Sequence, residues 1–355
     1  MENRIKKLQS NLENNQAVLI FESANRRYFT NFNSSAGVVI VTDKKAVFMV
    51  DFRYIENAKK QVKSMDVMLF TDLVKQIAEF LNGENTKQVY LETDSIDLSL
   101  YSKLKANLEG IEISTDGKIQ TAIDKLRAIK DAQEIGFIKQ AQALTDKTFD
   151  YILNHIAVGK TEREIALEME FFARKNGSDG IAFDFIVVSG KNSSLPHGVP
   201  TDKKLEKGDF LTMDFGARVN GYCSDMTRTV ALGEVSDHQK RVYETVLTAQ
   251  GMSASIVKAG VVCKDVDAVA REYIYENGYE GCFGHGLGHS LGLDIHENPA
   301  FNTRDETVLE SGMVMTVEPG IYLENEFGVR IEDMVLVTDD GFENLTNSPK
   351  ELIIL

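Results

Sequence analysis

The stretch Met213–Val230, MDFGARVNGYCSDMTRTV, predicts a β-hairpin with an acid on each strand. The other motifs of the chain are interpreted around this hairpin. Asn220-Gly221 is the pair most favoured in a two-residue type I′ turn, so we place the turn there. Val219 then pairs with Tyr222. Because side chains alternate along a strand, this register fixes which residues share a face of the hairpin.

Asp214 and Asp225 share one face in that register. Asp214 lies opposite Thr227, and Asp225 lies opposite Gly216, so the two carboxylates are diagonal neighbours, roughly 7–8 Å apart between backbone positions. Two metal ions about 3.5–4 Å apart fit between carboxylates placed in this way. A one-residue slip would move Asp225 to the other face. The alternative is a surface hairpin with solvated aspartates, although aspartate is depleted in strand interiors.

Length and composition indicate a soluble globular protein of two domains. The chain has 355 residues, of which 43% are hydrophobic and 26% charged. We find no apolar run long enough for a transmembrane helix and no apolar signal core after MENRIKKLQSN, so we expect a cytoplasmic protein with no membrane partner. A net charge of −15 argues against a nucleic-acid partner. The three cysteines, without a C-x-x-C pair, suggest neither a disulfide framework nor a thiolate zinc site.

Residues 1–122 alternate short apolar strands with amphipathic helices, and this pattern predicts an α/β domain with a mixed sheet. This part of the chain contains no histidine, so we expect it to contribute to the shape or assembly of the protein and not to catalysis. We place the domain boundary before Ile123 and expect residues 123–355 to form a second domain. A long amphipathic helix is predicted from Leu126 onward.

The second domain repeats a pattern. Residues 158–177 and 259–278 have the same helical outline, each copy follows a long helix, and each precedes a pair of strands with two acids. We therefore expect two related α/β halves that face each other, with four acids meeting at the middle. The acids are Asp214 and Asp225 in the first copy and Glu318 and Glu332 in the second.

Three histidines, His285, His289 and His296, lie within the segment GHGLGHSLGLDIHE. The step of four residues resembles a helical zinc pair, but the glycines disfavour a helix and indicate close approach of backbone to a crowded site. A glycine-rich phosphate loop is the alternative, although neither G-K-[ST] nor a G-x-G-x-x-G after a strand is present. A single histidine is more often structural, whereas three in one segment favour a site.

Two further side chains are candidates for the same site. His197 stands alone in SSLPHGVP, where a surface role and a functional role are equally supported. Arg330 precedes Glu332 by two positions, so on a strand the two share a face. Arg330 either pairs with Glu332 or holds a substrate carboxylate.

The combined set of four carboxylates and one or more imidazoles indicates a metal site. Oxygen-rich ligation with few nitrogens suits Mn²⁺ or Co²⁺ better than a thiolate-rich zinc site would. Two divalent ions that share a water acidify it into a hydroxide nucleophile, and such a nucleophile indicates hydrolysis.

The same blocks also resemble a known family. DFG…GYCSDMTRT, HGLGHSLGLDIHE, EPGIY and RIED are similar to the signature blocks of the pita-bread metallopeptidases, Xaa-Pro dipeptidase (prolidase) and Xaa-Pro aminopeptidase. NRRYFTNF and VDFRYIENA resemble the creatinase-type amino-terminal domain of that family. The resemblance covers essentially the whole chain. It implies an α/β (α+β) fold, a creatinase-type mixed-sheet domain over residues 1–122, a pita-bread catalytic domain with an internal pseudo-two-fold repeat over residues 123–355, and a homodimer.

When the functional residues of the family are carried over position by position, the resemblance also implies a metal site and its residues. Two divalent ions are expected, Mn²⁺ with Co²⁺ or Zn²⁺ as alternatives, bridged by Asp225 and Glu332. The implied catalytic residues are Glu318 as proton carrier and His296 and His197 as groups that stabilise the oxyanion. His285 and Arg330 are implied to bind substrate. The implied metal ligands are Asp214, Asp225, His289, Glu318 and Glu332.

The implied reaction is hydrolysis of the peptide bond that precedes proline, with Xaa-Pro dipeptides as the expected substrate. The alternative is an Xaa-Pro aminopeptidase that acts on longer peptides. Residues 1–122 count against methionine aminopeptidase, which usually lacks such a domain. The intact set of ligands counts against creatine amidinohydrolase and against an inactive binding protein on the same fold.

Overall fold

The computed structural model describes residues 1–355 and divides the chain into two compact units, Met1–Arg127 and Ala128–Leu355. The sequence places the boundary before Ile123, whereas the division follows Arg127. The difference arises because one helix, Lys118–Ala128, runs without a break through both positions. None of the helices is both long and apolar enough to span a bilayer.

The amino-terminal unit is built on a six-stranded mixed sheet. Its strands are β1 (Gln16–Ile20), β2 (Val38–Thr42), β3 (Ala46–Val50), β4 (Asp66–Leu69), β5 (Gln88–Leu91) and β6 (Glu112–Ser114). Their order is β4-β3-β2-β1-β5-β6, with β1 antiparallel to β2 and parallel to β5. The helices are α1 (Glu2–Gln9), α2 (Ser23–Thr30), α3 (Ile55–Gln61), α4 (Leu73–Gly83), α5 (Leu98–Asn107) and α6 (Lys118–Ala128). Buried aliphatic side chains of the strands, α4 and α5 form the core. The predicted mixed sheet is therefore confirmed.

The carboxy-terminal unit contains four helices and thirteen strands. The helices are α7 (Ala132–Leu153), α8 (Glu162–Lys175), α9 (Asp237–Ser255) and α10 (Cys263–Ile274). The strands are β7 (Gly180–Ile181), β8 (Ile186–Ser189), β9 (Phe210–Phe215), β10 (Ala217–Val219), β11 (Tyr222–Cys223), β12 (Met226–Ala231), β13 (Gly288–Ser290), β14 (Glu297–Phe301), β15 (Val314–Val317), β16 (Gly320–Leu323), β17 (Phe327–Arg330), β18 (Asp333–Val337) and β19 (Phe342–Asn344).

The long helix expected from Leu126 is instead two helices, and α7 begins only at Ala132. Asp131 caps α7 through a reciprocal pair of hydrogen bonds with Glu134, which satisfies main-chain donors that have no partner inside the helix. The same reciprocal cap, formed by Thr161 and Glu164, begins α8, as the spacing of these two residues predicts.

The central hairpin has the predicted register. Val219 pairs with Tyr222, and Asp214 pairs with Thr227. The turn residues Asn220 and Gly221 have φ angles of 48° and 79°, as a type I′ turn requires. Between these two sets of pairs the ladder is interrupted, so that β9 and β12 join one sheet while β10 and β11 join another.

The predicted internal repeat appears as the same order of elements in both halves. In the first half, α7 and α8 precede the sheet β12-β9-β8 and the hairpin β10-β11. In the second half, α9 and α10 precede the sheet β14-β13-β15-β18-β19 and the hairpin β16-β17. One cluster of buried apolar side chains lies mainly in the first half and another mainly in the second.

We expect Gly216→Ala to lower the melting temperature, because the main chain leaves no room for a Cβ at this break in the hairpin ladder. The added carbon would overlap the carbonyl oxygen of Ser224 and crowd Ala182. Overpacking against backbone costs about 1–3 kcal/mol. Thermal unfolding followed by calorimetry measures the effect.

Gly251→Ala is the matched control, since a Cβ at this exposed position of α9 meets no other atom within 4 Å. It should leave the melting temperature unchanged or raise it, because alanine favours a helix interior by about 1 kcal/mol over glycine. Equal melting temperatures for Gly216→Ala and the parent protein would contradict the described packing.

Candidate metal centre

The four acids of the repeat lie at corresponding places in the two halves. Asp214 lies near the end of β9 and Glu318 directly follows β15. Asp225 directly precedes β12, and Glu332 directly precedes β18. Glu332 therefore lies between two strands and not on one strand with Arg330, which ends β17. Strand ends thus bring all four acids to one place.

These acids and His289 form a compact buried cluster. Ligand atoms of Asp225, His289 and Glu332 lie within 4.8 Å of one another, an arrangement suited to a metal ion. His289 Nε2 also lies 3.4 Å from Glu318 Oε1 and 3.6 Å from Asp225 Oδ2. Asp214, Asp225 and Glu332 are 8%, 4% and 1% exposed, so water does little to screen their charges.

The imidazole of His289 presents a lone pair to these carboxylates. Its Nδ1 lies 3.1 Å from the carbonyl oxygen of Ser290, which accepts only, so Nδ1 carries the proton. Burial lowers the pKa of His289 to about 4, and Nε2 is therefore unprotonated near neutral pH. A bare nitrogen that faces carboxylate oxygens is repelled by them unless a cation lies between.

Burial raises the pKa of Asp225, Glu318 and Glu332. It raises the pKa of Glu318 to about 8, and the neighbouring charge of Asp214 adds to the effect. The pKa values of Asp225 and Glu332 are raised well above their ordinary values by burial and then by neighbouring carboxylates. Such mutual repulsion is what a bound cation removes.

The residues present fit divalent metal ions. Asp214 Oδ1, Asp225 Oδ1 and Glu332 Oε1 are buried and have no hydrogen-bond partner. A buried carboxylate oxygen without a partner is costly, and hard divalent cations prefer such oxygen ligands. The thiolate alternative has no support, because burial raises the pKa of Cys223 to about 11, and its sulfur contacts the carbonyl of Leu293.

Arg330 pairs with Asp214, not with Glu332. Its Nη2 lies 2.6 Å from Asp214 Oδ2, and its Nε donates to Thr227 Oγ1 at 3.1 Å. Thr227 in turn donates to Glu332 Oε2 at 2.8 Å. The two Nη1 hydrogens are donated to the Pro196 carbonyl at 3.2 Å and to the hydroxyl of Tyr322 at 2.7 Å. Of the five N–H groups of Arg330, only one Nη2 hydrogen has no acceptor.

Tyr322 links Arg330 to His285, and sequence reasoning missed it. His285 Nδ1 donates to the carbonyl of Gly286 at 2.8 Å, and burial lowers its pKa to about 4, so Nε2 accepts. The hydroxyl of Tyr322, 2.9 Å away, must therefore donate to His285 while it accepts from Arg330. Nothing in one sequence marks the tyrosine of EPGIY, because its partners His285 and Arg330 come together with it only in the fold.

Asp267 and Arg271 on α10 hold the segment that leads to these histidines, and sequence reasoning missed them too. Asp267 is fully buried, binds the Arg271 guanidinium at 2.7 and 2.8 Å, and accepts from Leu287 N at 3.0 Å. Arg271 donates to the carbonyls of Phe283 and His285, each at 2.8 Å. An acid and a base four positions apart on a predicted helix were the available signal.

Glycines let the histidine segment approach its neighbours, as the sequence indicates. A Cβ on Gly288 would overlap the carbonyl of Thr316, so β13 can reach β15 only with glycine there. Thr316 Oγ1 then accepts from His289 N at 3.0 Å and donates to Glu318 Oε1 at 3.2 Å. Residues 288–290 form a strand and residues 282–287 are not helical, which excludes the helical zinc pair.

Arg228 fixes the main chain behind the cluster. Its guanidinium is 1% exposed, and all five of its N–H groups donate hydrogen bonds of 2.5–2.9 Å. Two acceptors belong to ligand-bearing segments, and two lie in the last eight residues of the chain. The acceptors are the carbonyls of Thr227, Glu332, Ser348 and Pro349 and the carboxylate of Asp333.

One cavity of about 700 Å³ brings together every side chain singled out from the sequence. His197 and His296 line it beside the cluster, and His296 stacks edge-on at 4.5 Å between ring centroids from His289. Apolar side chains form much of the remaining wall, among them Phe183, Phe185 and Ile295. The predicted members of the lining are Asp214, Asp225, His289, Glu318, Glu332, His197, His285, His296 and Arg330.

Comparisons with known proteins find similar sequences and folds over almost the whole chain. A model of metallopeptidase family M24 matches residues 136–339, and one of the creatinase/prolidase N-terminal domain matches residues 4–129. The chain is 38% identical to an Xaa-Pro dipeptidase of Pyrococcus furiosus over 99% of its length and 100% of the relative. Its fold is similar to an Xaa-Pro dipeptidase from Bacillus anthracis, with a TM-score of 0.96, 43% identity and 99% coverage of each chain. It is also similar to an X-Pro aminopeptidase from Thermotoga maritima, with a TM-score of 0.90, 38% identity and coverage of 96% and 97%.

We expect the stability of the metal-free protein to depend on pH through Glu318. Its folded-state pKa of about 8 exceeds the ordinary 4.5, so the folded state keeps a proton that the unfolded state releases. This contribution is complete below the ordinary pKa and is lost as pH rises through the folded one. The melting temperature of the metal-free protein, relative to Glu318→Gln, should therefore fall between about pH 5 and pH 8.

Calorimetry with and without Mn²⁺ measures this effect. Because the ligands must release protons to bind a cation, Mn²⁺ should raise the melting temperature more at the upper end of that range. A parent protein and a Glu318→Gln variant with parallel pH profiles would show that Glu318 is not the group responsible.

Proposed function

The chain belongs to metallopeptidase family M24, and on that premise we propose that it hydrolyses the peptide bond before proline, with Xaa-Pro dipeptides as the preferred substrate. It is a metallopeptidase of the prolidase type. The observation that carries metal-dependent hydrolysis is the buried cluster of four carboxylates around an unprotonated imidazole, set in a cavity with an apolar wall. The preference for dipeptides is supported by the similarity to Xaa-Pro dipeptidases.

Five side chains would hold the metal: Asp214, Asp225, His289, Glu318 and Glu332. The unpartnered oxygens of three of these acids and the bare Nε2 of His289 support this assignment. Asp225 and Glu332 would be shared by two ions, and Mn²⁺ is the proposed metal because oxygen ligands dominate. When bound, the two ions would supply an acidified water and polarise the substrate carbonyl.

Glu318 is the proposed proton carrier. Its carboxylate would take the proton from the attacking water and return it to the leaving proline nitrogen. Its position directly after β15 supports the role, because the side chain projects into the cavity next to His289.

His197 and His296 are the proposed groups for the substrate carbonyl, because both line the cavity near the cluster. His285 is proposed to shape the substrate site through Tyr322, since both of its ring nitrogens already have protein partners. For Arg330 we propose a single contact to substrate through its remaining Nη2 hydrogen. The apolar wall would receive the proline ring.

The alternative is an Xaa-Pro aminopeptidase that acts on longer peptides. Two observations favour it: the cavity of about 700 Å³ exceeds the volume of a dipeptide, and Arg330 offers one hydrogen where a carboxylate clamp would use a free guanidinium. The assembly we propose is a homodimer, as the family resemblance implies.

We expect metal-dependent hydrolysis of Ala-Pro. The protein is stripped of metal, and its activity on Ala-Pro and on Ala-Pro-Ala is measured before and after addition of Mn²⁺. Recovery on Ala-Pro, with weaker activity on the tripeptide, agrees with the proposal. Preference for the tripeptide selects the aminopeptidase alternative, and no activity on either substrate with Mn²⁺, Co²⁺ or Zn²⁺ overturns both.

Glu318→Gln should lower kcat for Ala-Pro by about 10²–10⁴, the usual contribution of a proton-transfer group. Metal content, measured by elemental analysis on the same samples, separates loss of proton transfer from loss of metal. Glu306→Gln is the control, because Glu306 is an exposed acid paired with Lys264 on the surface. Near-normal turnover by a metal-loaded Glu318→Gln enzyme would remove Glu318 from the role.

A further inference from the structure

The loop that carries His197 begins where β8 ends at Ser189 and returns to the body of the unit at Thr201. Its tip is exposed: Leu195 and Val199, on either side of His197, are 57% and 75% exposed. These two apolar side chains therefore do little to fix the tip, although the main chain at Gly198 packs against Val188. Polar contacts elsewhere in the loop are needed to explain the position of His197 at the cavity.

Glu162 supplies such contacts at the base of the loop. Its side chain is fully buried at the first position of α8. One carboxylate oxygen, Oε1, accepts from Ser189 N at 2.6 Å and from Ser189 Oγ at 3.0 Å. The other, Oε2, accepts from Thr201 N at 3.0 Å and from Thr201 Oγ1 at 2.7 Å. A single carboxylate therefore joins the first and last residues of the loop.

Asn192 completes the arrangement, because its Nδ2 donates to both carboxylate oxygens, at 3.1 and 3.2 Å. Six hydrogen bonds thus satisfy a buried charge for which no cation is in direct contact. The amino terminus of α8 adds a favourable electrostatic environment for that charge. Every donor belongs to the loop or to its two ends, so the carboxylate has no other evident task.

The loop is also fixed from the side of the metal centre. Ser193 Oγ accepts from Gly328 N at 2.9 Å, and Arg330 donates to the carbonyl of Pro196 at 3.2 Å. Gly328 and Arg330 both belong to β17, whose end leads to Glu332. His197 therefore lies between a base held by Glu162 and a middle held by the strand that borders the metal ligands.

We propose that Glu162 is a positioning residue that fixes the His197 loop at the mouth of the candidate metal centre. This inference rests on the proposed peptidase function for its effect on rate, while the fixing of the loop stands on its own. A glutamine at this position keeps the size of the side chain but turns an amide NH₂ toward one set of loop donors. That end of the loop then loses its acceptor and opens.

Hydrogen exchange of the Mn²⁺-loaded full-length protein tests the fixing of the loop directly. Glu162→Gln should raise the exchange rate of residues 190–201 by roughly tenfold or more, because local opening then costs less. Glu164→Gln is the matched control. Glu164 lies on the same turn of α8, but its carboxylate contacts only Thr161, and glutamine preserves that cap. The control should exchange like the parent.

A double-mutant cycle on Xaa-Pro hydrolysis tests whether Glu162 acts through His197. Glu162→Gln should lower kcat/KM by roughly tenfold to hundredfold in the parent, as expected for a displaced group. In the His197→Ala background the same change should have no further effect. Multiplicative losses, or unchanged exchange in residues 190–201, would overturn the proposal.

The test remains decisive if Glu162→Gln does not fold or if the parent protein is inactive on Xaa-Pro substrates. Should Glu162→Gln fail to fold, Thr201→Val removes one donor at an exposed position and should raise loop exchange by a smaller factor. Unchanged exchange in that variant overturns the proposal equally. A parent protein inactive on Xaa-Pro substrates defeats the proposed function, and hydrogen exchange then decides alone whether Glu162 holds the loop.

Discussion

The constraint on which the rest of the carboxy-terminal unit depends is the mutual repulsion of four buried carboxylates. Each half of the internal repeat delivers two of them, and Arg330 balances the charge of one. One oxygen each of Asp214, Asp225 and Glu332 has no hydrogen-bond partner. Oxygens of Asp225 and Glu318 also face the lone pair of His289. Hydrogen-bonded supports hold this unfavourable cluster in place, so that the binding free energy of the cations is not reduced by rearrangement of the ligands.

The supports in the two halves of the repeat have the same role but use different hydrogen-bond partners. Helices α8 and α10 occupy the same place in the two halves, and each turns a buried acid toward a segment that carries a cavity histidine. Glu162 on α8 is satisfied by donors of the loop alone. Asp267 on α10 works together with Arg271, which extends to the carbonyls of the segment. A buried acid is stable in either setting, because every oxygen has donors.

The sequence predicted the features that local rules control. The type I′ turn set the hairpin register, and with it the pairing of Asp214 with Thr227. The start of α7 was misplaced because the apolar pattern continues through the cap at Asp131.

For the site, the sequence identified the acids and histidines but not their supports. Glu162, Asp267 and Tyr322 contact residues distant in sequence, and apart from the i,i+4 pair of Asp267 with Arg271 no spacing rule relates those positions. The partner of Arg330 was likewise open, because Glu332 leaves the strand before its side chain can share a face with Arg330. Such long-range contacts require coordinates.

The five hydrogen bonds of Arg228 have a consequence for biosynthesis. Its acceptors include Ser348 and Pro349, and its ion-pair partner Asp333 also binds Lys350. While the chain is being translated, the amino-terminal unit can fold as soon as it emerges, since domains fold as units. The metal-binding cluster can mature only after Ser348 and Pro349 have been synthesised, because Arg228 behind it has no complete set of hydrogen-bond acceptors before then.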